Sequence, residues 1–425
     1  MANSFNKEEK VAFDQLLQGF QDGLVLSKLI SHYKTDSTMM ARTNDIVWRP
    51  QPYIMPSFSG SDQTANFKEN TQLCVPSTLG FRKSVPWQMS DLDLRDALQE
   101  NRLGDAAKQR LASDVNVALT NLISNTGTLF VKRSSTAVGF DDIALVDAIL
   151  NEQGIGMEDR SLMLSTRDYN SMASELQKNT RSFGNDISDP ALRKAFVGEV
   201  AGIATYKTDY ANRKVAAAGG GALTITTLST GVNVYAPKAT STASASGETS
   251  NVDNRFQRVT LSSTTSVAAG DAFTIAGVNA VHHITKGDTG QLKTFRVISV
   301  DSSTTLTISP PLITAQGATA AEIAYQNCVV NTASATSAIV FLNTFVNYVN
   351  PFWCKGAIEI LPGKIATPSD AGVAVIRGST DQGIELVMQK FADINTGTVK
   401  FRVDLLFGLV NLQPEMTGLM MFSQI

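Results

Sequence analysis

The amino-acid sequence predicts an α+β protein with a small antiparallel β-barrel inserted into it. Segments with helical spacing of apolar residues alternate with strand-like runs through most of the 425 residues. Between residues 224 and 343 the composition changes, because 35 of these 120 positions are Ser or Thr and only 12 are charged. Short alternating runs separated by turn residues, as found there, are typical of a small barrel or sandwich.

The composition excludes several classes of protein. Lys and Arg number 36 against 39 Asp and Glu, and a chain with a formal net charge of −3 has no general electrostatic hold on nucleic acid. Three cysteines are too few for a disulfide framework or a paired zinc site. The first ten residues carry charges and no apolar run is long enough to cross a bilayer, so we expect neither a secretion signal nor a membrane span.

Residues 1–40 are expected to form an amphipathic arm. Apolar residues recur at helical spacing between residues 8 and 33, and polar residues separate them. The acidic residues of this helix have no obvious place in a buried core. These acids are Glu8, Glu9, Asp14 and Asp22.

Residues 41–86 are expected to form a long extended loop. Helical spacing disappears there, and the stretch contains five prolines together with Trp48, Tyr53 and Phe58. A loop of this length with little core of its own is uncommon inside a compact domain. We therefore expect it to lie on a partner, and the alternative is an irregular loop that covers its own domain.

Residues 87–223 are expected to begin with one long helix and to continue as a compact α+β region. Ser90 followed by Asp93 has the form of a helix cap, and residues 91–124 contain no proline. This helix would extend for up to about 50 Å, and Gly104 is a place where it can bend.

The long helix is expected to pack on one face and to leave the other in water. Its apolar side carries Leu111, Val115, Leu119, Leu122 and Ile123, and its polar side carries Gln109, Ser113, Asn116 and Thr120.

Residues 224–343 are expected to form the barrel. Phe295 and Val297 in one run, and Leu306 and Ile308 in the next, alternate with their neighbours as in a hairpin with one buried face. Strand-like runs resume after this segment, so residues 344–425 should complete the domain that precedes it. Such an insertion is tolerated where the flanking ends lie close together at a surface.

The sequence contains no recognisable catalytic, cofactor-binding or metal-binding pattern. His32, His282 and His283 are the only histidines, and none belongs to a helical zinc motif. The single Gly-Lys pair, at residues 363–364, lacks the upstream glycine of a phosphate-binding loop. We therefore predict no catalytic residue, no metal ligand and no cofactor.

Three strings of residues are distinctive. They are Asn44-Asp45-Ile46-Val47-Trp48, Asp91-Leu92-Asp93-Leu94-Arg95-Asp96-Ala97 and Asn251-Val252-Asp253-Asn254-Arg255-Phe256, the last followed by Val259-Thr260-Leu261. In these strings and in the order of its segments, the chain resembles the major capsid (coat) proteins of short-tailed double-stranded DNA phages of the Salmonella-phage type. The resemblance extends over nearly the whole chain, although most positions between the strings differ.

The resemblance implies the Johnson fold of tailed-phage capsids. In this interpretation residues 1–40 are the N-terminal arm and residues 41–86 are the E-loop. Residues 87–223 supply the spine helix and the first part of the P-domain and A-domain, which residues 344–425 complete. Residues 224–343 form the inserted β-barrel, or I-domain.

The resemblance also implies a structural protein and not an enzyme. Coat proteins of this type self-assemble as hexamers and pentamers in the host cytoplasm, with a scaffolding protein, into an icosahedral procapsid. The procapsid matures into the virion shell around packaged double-stranded DNA, which is bound without sequence specificity. A portal protein is a further implied partner, and no membrane is involved. The alternative at this point is a soluble enzyme or carbohydrate-binding protein with a Ser/Thr-rich β module.

Three groups of contact residues follow from the resemblance. The acids of the arm, with Asp14 preferred, would contact scaffolding protein, and ordinary packing of the arm is the alternative. Trp48, Tyr53 and Phe58 would anchor the E-loop in a neighbouring subunit, unless Trp48 belongs to the core of its own subunit.

The third group lies on the D-loop, residues 237–255, which in the resembling family reaches across a two-fold axis to a neighbouring capsomer. Its charges are Lys238, Glu248, Asp253 and Arg255. On a two-fold axis an acid of one loop can meet a base of the other twice. A salt bridge between Asp253 and Arg255 inside one domain is the alternative.

Overall fold

A computed structural model of the chain describes residues 5–33, 46–51, 55, 57–67, 72–99, 103–180, 198–218, 223–226, 234–238, 252–315, 319–331, 336–367, 373–393 and 395–424. The chain divides into two compact units. The first comprises Met1–Val47, Pro76–Leu119 and Ile358–Val410, and the second comprises Trp48–Val75, Thr120–Ala357 and Asn411–Ile425.

The described residues contain six α-helices, which include the arm and the predicted spine. They are α1 (Lys7–Gly23), α2 (Asp91–Gln99), α3 (Asp105–Thr126), α4 (Phe140–Glu152), α5 (Thr166–Thr180) and α6 (Ala320–Tyr325). Short 3-10 turns lie at Leu26–Leu29, Thr64–Asn66, Lys355–Ala357 and Pro414–Met416.

Strands make up the rest of the regular structure, so the predicted α+β class is confirmed. In the described part of the chain they are β1 (Ser31–His32), β2 (Ile46–Pro50), β3 (Cys74–Thr78), β4 (Phe81–Ser90), β5 (Leu129–Lys132), β6 (Arg160–Ser165), β7 (Glu199–Val200), β8 (Ile203–Thr208), β9 (Arg213–Lys214), β10 (Thr224–Thr226), β11 (Gln257–Thr260), β12 (Ala272–Val281), β13 (Asp288–Val300), β14 (Thr305–Ser309), β15 (Cys328–Val330), β16 (Thr336–Phe341), β17 (Asn347–Tyr348), β18 (Asn350–Cys354), β19 (Ile358–Pro362), β20 (Ala374–Ser379), β21 (Glu385–Asp393), β22 (Thr398–Asn411) and β23 (Thr417–Met421).

The first unit is built on a sheet with the strand order β1-β19-β22-β21-β20, in which β4 also pairs with β22. The register places Trp87 opposite Phe401, and the two rings stack with their centroids 5.5 Å apart. Phe81 and Phe407 stack in the same way at 5.1 Å. Aromatic cross-strand pairs of this kind stabilise a sheet by about 0.2 to 1 kcal/mol each.

The long helix predicted over residues 91–124 is in fact two helices. The predicted cap is present, because the Ser90 Oγ accepts a hydrogen bond from the Asp93 N–H at 3.2 Å. Gly104 lies directly before α3 with a φ of +80°, a left-handed conformation that ends a helix where a bend was expected. The 22 residues of α3 alone span about 33 Å.

α3 is buried on more of its surface than its sequence predicts. Its apolar side is buried, apart from a half-buried Leu122. Asn116 and Thr120, which were expected to face water, are also buried. The Asn116 Nδ2 donates a hydrogen bond to the Gly23 carbonyl oxygen at 3.1 Å, so the end of the arm covers the polar side of α3.

The second unit contains a sheet with the strand order β5-β23-β18-β6-β8-β7. The pairs β5/β23 and β6/β8 are parallel, and β18 is antiparallel to both of its neighbours. Apolar residues of α4 and α5 cover this sheet and share its core. This core includes Ile143, Val146, Leu150, Leu162, Leu164, Met172, Phe352 and Met420.

The barrel belongs to the second unit and has the strand order β10-β16-β12-β13-β14-β11, with β15 paired to β12. A bridge between Ile225 and Leu261 joins the first strand to the last and closes it. The predicted hairpin is confirmed as β13 and β14. Its alternating residues fill a separate barrel core, which includes Phe273, Ile275, Phe295, Val297, Leu306, Ile308 and Leu312.

The two ends of the barrel segment lie side by side. β9, before the barrel, pairs with β17, after it, and Lys214 lies opposite Asn347. The chain therefore leaves and returns at one place, as the prediction of an insertion requires.

A buried arginine fixes the barrel to the end of α3. Arg296, on β13, is 1% exposed, and its Nε and Nη1 donate hydrogen bonds to the carbonyl oxygens of Gly127 at 3.1 Å and Gly270 at 2.8 Å. Burial lowers the pKa of Arg296 to about 10, and the nearby Asp271 carboxylate opposes this change. Such hydrogen bonds are required because a buried charge is otherwise strongly destabilising.

Candidate assembly surfaces

The arm helix α1 has one buried face and one polar exposed face, which carries three acids and two lysines. Its apolar residues, including Phe13 and Phe20, are buried in the first unit. The exposed face forms a single stripe along the helix, with acids at Asp14 and Asp22 and with the 53% exposed side chain of Val11 between polar neighbours. The remaining exposed members of this stripe are Glu8, Gln15, Gln18 and two lysines, Lys7 and Lys10.

Glu9 does not belong to that exposed face. It is 1% exposed, and its carboxylate accepts a hydrogen bond from the Lys390 Nζ at 2.6 Å and one from the Asn6 N–H at 3.0 Å. Lys390 lies on β21, far along the chain, so this partner cannot be read from the helix alone. Glu9 therefore stabilises the arm against its own subunit, and three of the four predicted acids remain exposed.

The predicted E-loop, residues 41–86, contains a two-stranded sheet of β2 and β3. Trp48 on β2 is half-buried, and Phe58 is 49% exposed. Tyr53 lies outside the described residues. Within the second unit, the Tyr325 hydroxyl on α6 joins both sides of the loop base, since it accepts from the Leu73 N–H at 3.2 Å and donates to the Gln51 carbonyl oxygen at 3.4 Å.

A further aromatic residue of the E-loop was not singled out from the sequence. Phe67 is 87% exposed, which makes it the most exposed of the large apolar side chains described. It follows a short turn in which the Asp62 carboxylate accepts hydrogen bonds from the N–H and Oγ of Thr64 at 3.0 and 2.7 Å. These bonds lower the pKa of Asp62. The criterion that selected Phe58, an aromatic residue in a loop without a core, applies equally to Phe67.

Two of the four predicted D-loop charges are paired with each other. The Arg255 Nε and Nη2 donate to the Asp253 carboxylate at 3.0 and 2.7 Å, and the Arg255 Nη1 donates to the Asn411 carbonyl oxygen at 2.8 Å. Both side chains are largely buried, at 11% exposed for Arg255 and 21% for Asp253. The alternative of a salt bridge within one subunit therefore describes this pair.

Asn254, between these two charges, holds the two ends of the D-loop together. Its Oδ1 accepts from the Lys238 N–H at 2.9 Å and the Tyr235 hydroxyl at 2.8 Å, while its Nδ2 donates to the Lys238 carbonyl oxygen at 2.7 Å. Burial, with a contribution from Asp253, raises the pKa of Tyr235 to about 12. The Lys238 side chain is exposed, and Glu248 lies outside the described residues.

The described residues show no arrangement for metal or redox chemistry. Among them, no three His, Cys, Asp or Glu side chains gather closely enough to hold a metal ion. Cys74, Cys328 and Cys354 are free thiols, and burial raises the pKa of Cys328 to about 12. Among the helices described, none combines the length and apolarity needed to cross a membrane.

Comparison with protein families gives a match over nearly the whole sequence. The family described as P22 coat protein, gene protein 5, matches residues 1–423.

Among solved structures, the chain is similar to that of Mycobacterium phage Che8, with 9% identity, a TM-score of 0.46 and coverage of 93% of this chain and 90% of the other. It is also similar to the capsid of cyanophage P-SCSP1u, with 12% identity, a TM-score of 0.43 and coverage of 93% and 86%. The I-domain of the CUS-3 coat protein is 36% identical over 29% of this chain and 96% of its own, with a TM-score of 0.21.

The two acids Glu9 and Asp14 provide a matched test of the arm. Glu9→Ala leaves the largely buried Lys390 without its carboxylate, so we expect the free energy of unfolding to fall by about 3 kcal/mol. Asp14→Ala removes an exposed charge on the same helix and should change it by less than about 0.5 kcal/mol. Urea unfolding of the unassembled chain, followed by circular dichroism, measures both, and equal losses would contradict the assignment of Glu9.

Proposed function

Because the chain belongs to the P22 coat protein family, it is a structural major capsid protein of the virion shell, and we propose that it builds this shell with a scaffolding protein as an icosahedral procapsid. The observation that carries this function is the family match over residues 1–423. The protein self-assembles into the shell and has the tailed-phage capsid (Johnson) fold. It is not an enzyme, and no observation favours a carbohydrate-binding protein.

Further features of assembly form part of the proposal. The chain occupies hexamers and pentamers, a portal protein joins the shell, and maturation encloses packaged double-stranded DNA without sequence-specific contacts. The net charge of −3 supports the last point, since a strongly basic inner wall would hold the phosphates of the genome. The division into arm, E-loop, spine helix, P-domain, A-domain and I-domain belongs to the same proposal.

The exposed face of α1 is the proposed site for scaffolding protein. It presents Glu8, Asp14 and Asp22 to solvent, and the exposed Val11 offers an apolar contact in the same stripe. Basic residues of a partner would pair with these acids. Each exposed ion pair contributes only about 0.2 to 1 kcal/mol, so recruitment depends on repetition of the contact over many subunits.

Neutralising this face should weaken recruitment of scaffolding protein. We expect Asp14→Asn combined with Asp22→Asn to cost about 1 kcal/mol, or about fivefold in affinity per site, and to lower the yield of closed procapsids. Asp209→Asn, at another exposed acid, is the control and should have no effect. Co-sedimentation and electron microscopy of assembly reactions at low and raised salt provide the measurement. Unchanged recruitment at low salt would show that the arm only packs on its own subunit. Full-length protein that forms no shells under any condition would instead contradict the proposed function.

The E-loop is the proposed contact with a neighbouring copy. Phe67 and Phe58 expose large apolar surfaces on a loop whose two sides are joined at the base by Tyr325, so the base is fixed before assembly. Fixing a binding segment in advance lowers the conformational entropy lost on association. Burial of one phenylalanine side chain contributes about 1.5 to 3 kcal/mol.

Removing the exposed ring should affect assembly and leave the isolated chain unchanged. Phe67→Ala is expected to raise the concentration needed for shell formation about tenfold, with little change in the melting temperature of unassembled protein. Phe67→Leu, which keeps an apolar side chain, should recover much of the loss. Trp48→Ala should raise that concentration and also lower the melting temperature, since Trp48 is already half-buried in its own subunit. A melting temperature that falls as steeply as assembly in Phe67→Ala would place Phe67 in the core of its own subunit.

The D-loop is the proposed contact across the two-fold axis, now with a smaller set of charges. Asp253 and Arg255 pair with each other. The Lys238 side chain is exposed, although Asn254 holds the Lys238 backbone by a hydrogen bond to its carbonyl oxygen. Lys238 and Glu248 are therefore the proposed pair: Lys238 of each loop pairs with Glu248 of the loop across the two-fold axis.

Reversal of charge tests this pairing. Glu248→Lys should give tubes or unclosed shells, because like charges then face each other twice at every two-fold axis. Adding Lys238→Glu to the same chain should restore closed shells. Electron microscopy distinguishes these products, and normal closed shells from Glu248→Lys alone would refute the contact.

A further inference from the structure

The tip of one barrel hairpin lies against the end of helix α4 in the second unit. This tip, residues 282–287, joins β12 to β13. The His283 N–H donates a hydrogen bond to the Gln153 carbonyl oxygen at 2.8 Å, directly beyond the last residue of α4. The hairpin tip is therefore a point of attachment between the inserted barrel and the helix.

The fit at this attachment is close. The His282 ring lies over Gly154, where a Cβ would be 2.4 Å from the ring Cε1. Gly154 also has a φ of +73°, so both the ring and the backbone conformation require glycine at this position. The His282 Nδ1 accepts from the N–H groups of Ile284 and Thr285 at 3.3 and 3.2 Å, which holds the tip in its bound shape.

His283 lies among more positive than negative charges. Lys286 on the same tip, Lys293 on β13 and the adjacent His282 oppose its protonation, and Glu415 on the Pro414–Met416 turn favours it. The carboxylate of Glu415 is already paired with the Lys293 Nζ, and Lys293 is 5% exposed. Lys286 donates to the Gln326 carbonyl oxygen at 3.1 Å. Burial, followed by Lys286, lowers the pKa of His283 from its ordinary value.

Little water is available to hydrate a charge on this ring. His283, Lys286 and Glu415 line a cavity of about 50 Å³, together with Gln153 and Arg255. Arg255 is already paired with Asp253. A space of this size holds only a few water molecules. A proton added to His283 therefore brings a further positive charge into a small site whose carboxylate already has a partner.

We propose that residues 282–287 act as an acid-sensitive latch, which holds the inserted barrel against the end of α4 and releases it when His283 is protonated. A released tip exposes His283 to water, where its pKa returns to about 6.5. Because the released form binds the proton more tightly, the latch is strongest above that pH. It weakens as the pH falls below about 6.5 and levels off below the lowered pKa of the attached form.

Hydrogen exchange of the full-length, unassembled chain tests the latch directly. The His283 amide bonds to the Gln153 carbonyl oxygen, so its protection factor, corrected for the intrinsic exchange rate, reports attachment. In the wild-type chain we expect this factor to fall by about threefold or more between about pH 7.5 and about pH 5.5. His283→Gln, which cannot be protonated in this range, should keep its protection at both values.

A second variant keeps the test informative if His283→Gln fails to fold. Lys286→Gln removes the charge that most opposes protonation of His283, so its pKa moves back toward the ordinary value and the fall in protection becomes smaller. Lys83→Gln, at an exposed lysine of the first unit, should behave as wild type. Protection that does not change with pH in the wild type, or a full-sized fall in either His283→Gln or Lys286→Gln, would overturn the proposal.

Discussion

The second unit depends on the two hydrogen bonds that hold one fully buried cation. Arg296 lies on the barrel strand β13, yet its hydrogen bonds end on Gly127, beyond α3, and on Gly270, just before β12. A guanidinium in this position is tolerated only while those carbonyl oxygens stay in place, since loss of one partner leaves a charge without compensation. The barrel, the end of the spine and β5 must therefore be positioned together. The Thr294 Oγ1 also donates a hydrogen bond to the Thr128 carbonyl oxygen at 2.7 Å, so a second bond attaches β13 to the chain just beyond α3.

Contacts within the subunit decide which charges remain available to other subunits. Glu9 and the pair Asp253–Arg255 are used inside the chain, whereas Asp14 and Lys238 extend into solvent. A shell of many identical subunits can rely on weak contacts, because each is repeated at every equivalent position. Weak individual contacts also let a misplaced subunit dissociate before the shell closes. The strong ion pairs thus maintain the subunit, and exposed charges such as Asp14 and Lys238 stay available for the proposed contacts.

The sequence predicts those parts of the fold that have a clear local period. The hairpin of β13 and β14 follows from strict alternation, and the arm follows from helical spacing. The sequence does not predict the burial of a polar residue whose hydrogen-bond partner lies far away along the chain. The alternation that buries Phe295 and Val297 puts Arg296 on the other face of the hairpin, and only the folded chain brings Gly127 to it. Asn116 was expected in water for the same reason, since its cover is the end of the arm at Gly23. Gly104 could be recognised as a weak point of the helix, but a positive φ is a property of the folded backbone.

The ladder between β9 and β17 makes the barrel a module in the evolutionary sense. Since the chain departs and returns through neighbouring strands, the segment can be exchanged or enlarged while both of its ends keep their place. A lineage can therefore alter this domain by recombination within one gene segment, while the sheets encoded by the remainder keep their strand order. The condition on any replacement module is that it supply a donor for the carbonyl oxygen of Gly127, which Arg296 now satisfies.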